Sequence, residues 1–208
     1  MTFQTVIELP MSRDTIEAVG DLDKMHKSVM KLFPNLSGMN FDAEARELMG
    51  IVYRVDVDNS RPLDPKVRVT VNSAVEVEGG HSTSVVPLFE EGDTVILSSK
   101  LRSEKRSVKG RESGQKNSEA NRRTRMVRDD EFGEWIDALF SENGMEVSEV
   151  AAGRASQVGF RGGIRGYARE VRVSVKVIDA EKANIAIHRG IGRGKAYGFG
   201  LLQVIEGA

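Results

Sequence analysis

Apolar and polar residues alternate along Thr5–Leu9 (TVIEL), Gly50–Asp58 (GIVYRVDVD) and Lys66–Asn72 (KVRVTVN), which predicts half-buried strands. The turn-forming NSRPLDP separates the last two. From Asp14 to Phe33 the period changes: Ile16, Val19, Leu22, Met25, Val29, Leu32 and Phe33 recur at spacings of three and four, the mark of an amphipathic helix. Gly20 is a point of interruption and Pro34 a stop. The N-terminal half therefore reads β-α-β-β.

A second set of elements begins with a strand at Asp93–Leu101. DDEFGEWIDALFSENG reads as a helix, with Asp129, Asp130 and Glu131 at its positive end and Phe132, Trp135, Ile136, Leu139 and Phe140 on one side. That side makes Trp135 a core residue, not a platform for stacking a base. A strand at Glu170–Asp179, a short helix AEKANIAIHR and a last strand FGLLQVIE complete this half. Between the two sets of signals, Arg102–Arg128 is polar and without apolar period, so it is either a disordered insert or a functional arm. Strands and helices mix in α+β fashion in each half. The 208 residues fit two domains of about 100 residues, drawn at 1–90 and 91–208. The sequence contains no overt repeat, yet each half suits a βαββαβ sandwich.

Composition adds exclusions. With no cysteine there are no disulfides and no thiolate metal sites, and a reducing cytoplasm is the expected compartment. No apolar run approaches the roughly 18 residues of a membrane span, and the N-terminus lacks a signal-peptide pattern, so a soluble chain with no membrane partner is expected. Net charge is −1, but its distribution is uneven. Residues 1–99 hold 9 basic and 16 acidic groups (−7), 100–128 hold 11 and 3 (+8), 129–149 hold 0 and 8 (−8), and 150–208 hold 10 and 4 (+6). The basic segments can form a surface that attracts a polyanion, although charge runs are also ordinary solvated faces.

The glycine-rich HRGIGRGKAYGFGLLQV carries the candidate chemistry. A nucleotide P-loop ending in Gly194-Lys195 needs glycine at 189, which is Arg, and Ser or Thr at 196, which is Ala. A dinucleotide fingerprint from Gly190 needs glycine at 195, which is Lys, and no βα unit follows. KAYGFGLL shares Lys195, Tyr197, Gly198 and Phe199 with the pattern of an internal RNA-recognition strand, but lies too near the end of the sequence for one. What remains is a loop whose backbone can approach a ligand closely, with Arg193 and Lys195 suited to a phosphodiester, or a glycine-rich turn packed on a sheet.

GIGRGKAYGFGLLQV resembles the C-terminal signature of the CasE family, the repeat-cleaving endoribonuclease subunit of type I-E CRISPR Cascade. DLDKMHKSVMKLFP resembles that family's first helix, in which a histidine follows Asp-Leu, and GDTVILSSKLRSEKR more faintly resembles its strand running into a basic segment. The resemblance implies two tandem ferredoxin-like, RNA-recognition-like domains that grip a hairpin of the CRISPR repeat. It implies metal-independent, cofactor-free cleavage at the hairpin base by the ribose 2′-hydroxyl, and retention of the product beside other Cascade subunits, the backbone subunit among them. It places the catalytic histidine at His26.

The residues agree in kind. His26 lies at the margin of the apolar stripe with Lys24, Lys27 and Lys31 on the exposed side, and imidazole titrates near working pH. His81 falls in a loop pattern and His188 precedes the glycine loop. Candidate RNA contacts are those three lysines, Lys100, Arg102, Lys105, Arg106, Arg122, Arg123, Arg125, Arg128, and Gly192, Arg193, Gly194 and Lys195 of the loop. One position departs from the family pattern: several members carry tyrosine three residues before the histidine, and here it is Asp23. That departure keeps open a noncatalytic subunit that only holds the RNA hairpin.

Overall fold

The computed structural model describes residues 1–33, 49–60, 63–77, 80, 82–106, 124–159 and 165–207. In the N-terminal half the elements are β1 (Phe3–Pro10), α1 (Arg13–Gly20), α2 (Leu22–Met30), β2 (Val52–Asp58), β3 (Lys66–Ser73) and β4 (Ser82–Val85). The expected single helix is two helices. Ser12 caps α1 by accepting from the Thr15 N–H, and the Asp21 carboxylate accepts from the N–H groups of Asp23 and Lys24 to start α2 just beyond Gly20. His26 therefore sits in the middle of a short helix with its own cap, and Phe33 closes the turn after it.

The strands form an antiparallel sheet in the order β2-β3-β1-β4. Alternation in the sequence is spent on two different partners. Ile51, Tyr53, Val67, Val69, Val71 and Ile7 face Met25, Val29 and Met30 of α2 and make one core. The intervening Val52, Arg54, Thr70 and Asn72 are also buried, because the other face meets the C-terminal half. Between β3 and β4 the described residues, 74–77 and 80, contain no helix.

The C-terminal half contains β5 (Thr94–Arg102), the hairpin strands β6 (Glu104–Arg106) and β7 (Thr124–Met126), α3 (Asp129–Ser141), β8 (Met145–Ala152), β9 (Ser156–Gly159), β10 (Arg165–Val177), α4 (Ala180–Arg189) and β11 (Gln203–Gly207). Its main sheet runs β11-β5-β10-β8, again antiparallel. Phe132, Ile136 and Phe140 of α3 and Ala183, Ala186 and Ile187 of α4 cover the face built by Leu97, Leu101, Val171, Val173 and Val175. Trp135 is partly buried against this core, as its position on the helix stripe predicts. Both sheets place the first and third strands in the centre, with the last strand beside the first and the second beside the third. The chain is a tandem of ferredoxin-like folds of α+β class.

Specific bonds lock the halves together. The Asn72 amide donates to the Ile187 carbonyl at the end of α4 (3.0 Å) and accepts from Gln4 (3.1 Å). Arg54, almost fully buried, donates to Ser98 on β5 (2.9 Å) and to Asp56 (2.8 Å). Asn184 exchanges two bonds with the backbone of Phe89 in the connecting segment (2.7 and 2.9 Å). Buried polar groups are costly unless partnered, so these contacts favour one docking geometry.

Candidate active site

The glycine loop closes on itself before it reaches the other half. Gly200 carries the constraint: its carbonyl accepts from the Ile191 N–H (2.8 Å) and its own N–H donates to the Lys100 carbonyl on β5 (2.9 Å). Between these points Lys195–Tyr197 form one 3₁₀ turn, with Gly194 and Gly198 on either side both left-handed, φ 82° and 85°. A Cβ on Gly198 would press on the Tyr53 ring at 3.2 Å, and the Tyr53 hydroxyl donates to the Ala196 carbonyl at 3.0 Å. The N-terminal half thus holds the turn from below through one buried tyrosine.

The turn faces α2. The ring of Tyr197 lies 5.9 Å from that of His26, centroid to centroid, tilted by 54°. Beside them opens a cleft of about 240 Å³. Val19, Gly20, Leu22 and Met25 line it from the helices, Val55 from β2, Lys100 from β5, Gln157–Gly159 from β9, and Tyr197–Phe199 from the loop. An imidazole, a lysine and a phenol are brought to one boundary between the two halves.

The other candidate residues divide into groups. Lys24, Lys27 and Lys31 are exposed on α2, and Lys24 pairs with Glu17 (3.1 Å). Gly192 and Arg193 form the exposed tip of the glycine loop. Gly194 is packed, since a Cβ there would meet Phe199 at 2.9 Å and Arg102 at 3.4 Å. Lys195 is half-buried and points its ammonium at the Gly190 carbonyl (3.4 Å), so it braces the loop as well as charging it. Arg102 pairs with Glu104 (2.8 Å), whose side chain is 1% exposed and also accepts from the Tyr167 N–H.

The ends of the basic stretch pair as the β6–β7 hairpin, and Arg125, Lys105 and Arg128 converge on Glu131 at 2.7, 4.0 and 3.2 Å. The bidentate hydrogen bond from Arg125 is the main reason the Glu131 carboxyl is pulled down to about 2. A carboxylate so depressed contributes its hold on the hairpin fully above its ordinary 4.5 and loses it as the pH falls through about 2. Arg122, Arg123 and His81, with the side chain of Arg106, lie outside the described residues. His188 is half-buried on the last turn of α4, and burial first, then the α-ammonium of Met1, holds its pKa below the usual value. Among the described residues no three His, Asp or Glu side chains group as metal ligands, and no helix is long and apolar enough to cross a membrane.

Sequence reasoning misses Tyr197 and Gln157 as site residues. Tyr197 is visible in KAYGFG, but its distance in sequence from His26 hides the contact.

The model of a family described as CRISPR associated protein matches residues 3–205. Among solved structures, Thermus thermophilus Cse3 bound to an RNA representing a pre-cleavage complex is similar with a TM-score of 0.77 at 19% identity, over 99% of this chain and 98% of that one. Cas6e of Escherichia coli K-12 gives 0.66 at 18%, over 98% of each chain. A chain of a CRISPR RNA-guided surveillance complex gives 0.62 at 20%, over 97% and 98%. At such identities the likeness is one of fold. No curated protein matches the sequence significantly.

Proposed function

The chain belongs to the CRISPR-associated protein family, and from that premise we propose that it is an endoribonuclease that matures CRISPR RNA. It binds the hairpin of a repeat, cuts the precursor at the hairpin base without a metal, and remains on the product beside the backbone subunit of a type I-E Cascade. Residues 1–90 and 91–208 are its two domains in this reading. The observation that carries it is His26 against Tyr197 at a cleft walled by both halves, with Lys100 alongside. Similar folds solved with RNA, and in an RNA-guided surveillance complex, support the choice of substrate and partner.

The chemistry follows from what the cleft holds. The ribose 2′-oxygen bonds to phosphorus as the bond from phosphorus to the 5′-oxygen breaks, and the 2′-hydroxyl proton passes to solvent or to a base. The leaving 5′-oxygen takes a proton from the His26 imidazolium. Lys100 lines the cleft, and its ammonium offsets charge that builds on the nonbridging oxygens of a phosphate bound there. The products are a 2′,3′-cyclic phosphate and a 5′-hydroxyl.

One gel assay tests this reading: repeat-hairpin RNA is incubated with the protein in excess chelator. Cleavage with those ends is expected. A shifted band without a cut would favour the noncatalytic hairpin-binding subunit that Asp23 keeps open, and neither a cut nor a shift would overturn both.

Glu131 makes a second expectation specific. In this reading its carboxylate competes with RNA phosphates for Lys105, Arg125 and Arg128. Glu131→Gln should therefore bind hairpin RNA more tightly, and the log–log salt slope should steepen by about 0.7–0.9 for each further phosphate that the released cations engage. An unchanged affinity and slope would mean that the β6–β7 hairpin does not meet RNA.

A further inference from the structure

We propose that the cleft beside His26 is a nucleobase slot: one unpaired base of the RNA, next to the scissile phosphate, enters it and stacks on Tyr197. The proposal rests on the reading of the chain as an endoribonuclease and adds how the cut site is selected.

The shape and lining fit a base. The cleft is small, about 240 Å³, its lining is more apolar than polar, and the half-buried Val19, Leu22, Val55, Val158 and Tyr197 are among the residues that form it. Two residues with polar side chains line it, Gln157 and Lys100. A nucleotide has a matching division, with an apolar π face and polar edge on the base and a negative phosphate beyond the ribose. The amide of Gln157 can donate to and accept from a base edge, and Lys100 can meet the phosphate. Pocket and reaction centre share one residue, because Tyr197 lines the cleft and its ring lies 5.9 Å from the His26 ring. A base laid on Tyr197 brings its own ribose and flanking phosphate to His26.

RNA structure favours the same occupant. The major groove of an A-form stem is too narrow for side chains to read, so sequence-specific recognition falls on unpaired bases splayed onto aromatic rings. A hairpin supplies such nucleotides where its stem ends. The slot is also formed in advance. Gly194 and Gly198 fix the turn that carries Tyr197, and the Tyr53 hydroxyl anchors its middle at Ala196. The walls come from α1, α2 and β2 on one side and β5, β9 and the loop on the other, so the slot exists only where the halves dock.

The test replaces single nucleotides around the mapped cut by an abasic ribose that keeps its 2′-hydroxyl, and measures single-turnover cleavage. With the parent protein one abasic position should slow cleavage about tenfold, the scale of a single stacked base. Tyr197→Ala should be insensitive at that same position, Tyr197→Phe should respond like the parent, and Gln157→Ala should respond but lose preference among the four bases there. In parallel, 2-aminopurine at that position should be quenched on binding to the parent and not to Tyr197→Ala. A flat abasic scan by a parent that cuts, or an abasic loss that simply adds to the Tyr197→Ala loss, overturns the slot and leaves the endoribonuclease reading standing. A parent that binds hairpin RNA without cutting overturns that reading, and the 2-aminopurine signal then decides the slot by itself.

Discussion

His26→Ala is expected to bind hairpin RNA within a few-fold of the parent and to cut it about 10²–10⁴-fold more slowly, the range of a general acid–base group. The separation of binding from cleavage follows from the placement of the side chain. His26 is half-buried on α2 and packs on Tyr197, while the cations that would hold phosphates, Lys24, Lys27, Lys31 and Lys100, stay in place when the imidazole is removed. The fold should tolerate the change as well, because the core contacts of α2 belong to Met25, Val29 and Met30. Single-turnover cleavage and a filter-binding isotherm on the same preparation check both halves of the expectation, with circular dichroism as the fold control. If the variant cuts at the parental rate after contaminating ribonuclease is excluded, His26 leaves the mechanism. His188 is the next imidazole, but it lies on the last turn of α4 ahead of the glycine loop, so its promotion would move the site away from the turn that carries Tyr197.

What the sequence discloses and what it hides follow the range of the interactions involved. The alternation of β2 and β3 and the stripe of α3 are legible because one buried face sets each period. The same alternation cannot tell that the second face of β2 and β3 is buried too, since Val52, Thr70 and Asn72 look like ordinary outward positions until the other half covers them. β8 escapes the pattern because MEVSEVAA is mostly exposed on an edge strand, and because its pairing with β10 passes over Ser148 between Glu149 and Val147, an extra residue that breaks the period of β8 itself. Strand β10 starts at Arg165, ahead of the expected Glu170, where Tyr167 and Ala168 pair with β9. The last strand starts only at Gln203, because Leu201 and Leu202 are taken into the core as the loop returns. His26 and the basic residues are legible as chemistry, whereas their companions are not. The contact with Tyr197 and the capture of Lys105, Arg125 and Arg128 by Glu131 depend on elements meeting across the fold.

Gly200→Ala should be among the most destabilising single-methyl additions in the protein, and it tests what the glycine loop is for. Gly200 has φ 81°, where an L-residue is strained, and a Cβ there would fall inside the Ile191 carbonyl oxygen, a backbone atom that cannot rotate away. Left-handed strain and overpacking together cost about 2–5 kcal/mol, which for a chain of this size lowers Tm by roughly 5–15 °C. Gly133→Ala provides the internal contrast. Gly133 lies within α3 with nothing near its missing Cβ, so the same substitution there should stabilise by about 0.5–1 kcal/mol. Thermal melts of the two variants should therefore move in opposite directions. Cleavage at a temperature where Gly200→Ala is still folded adds the functional half. Displacing Gly200 disturbs its bonds to Ile191 and to Lys100, and through the loop the turn that holds Tyr197 beside His26, so activity should fall further than the folded fraction does. A Gly200→Ala protein that melts and cuts like the parent would mean that the neck of the loop yields freely, and that the glycines do not set the geometry at His26.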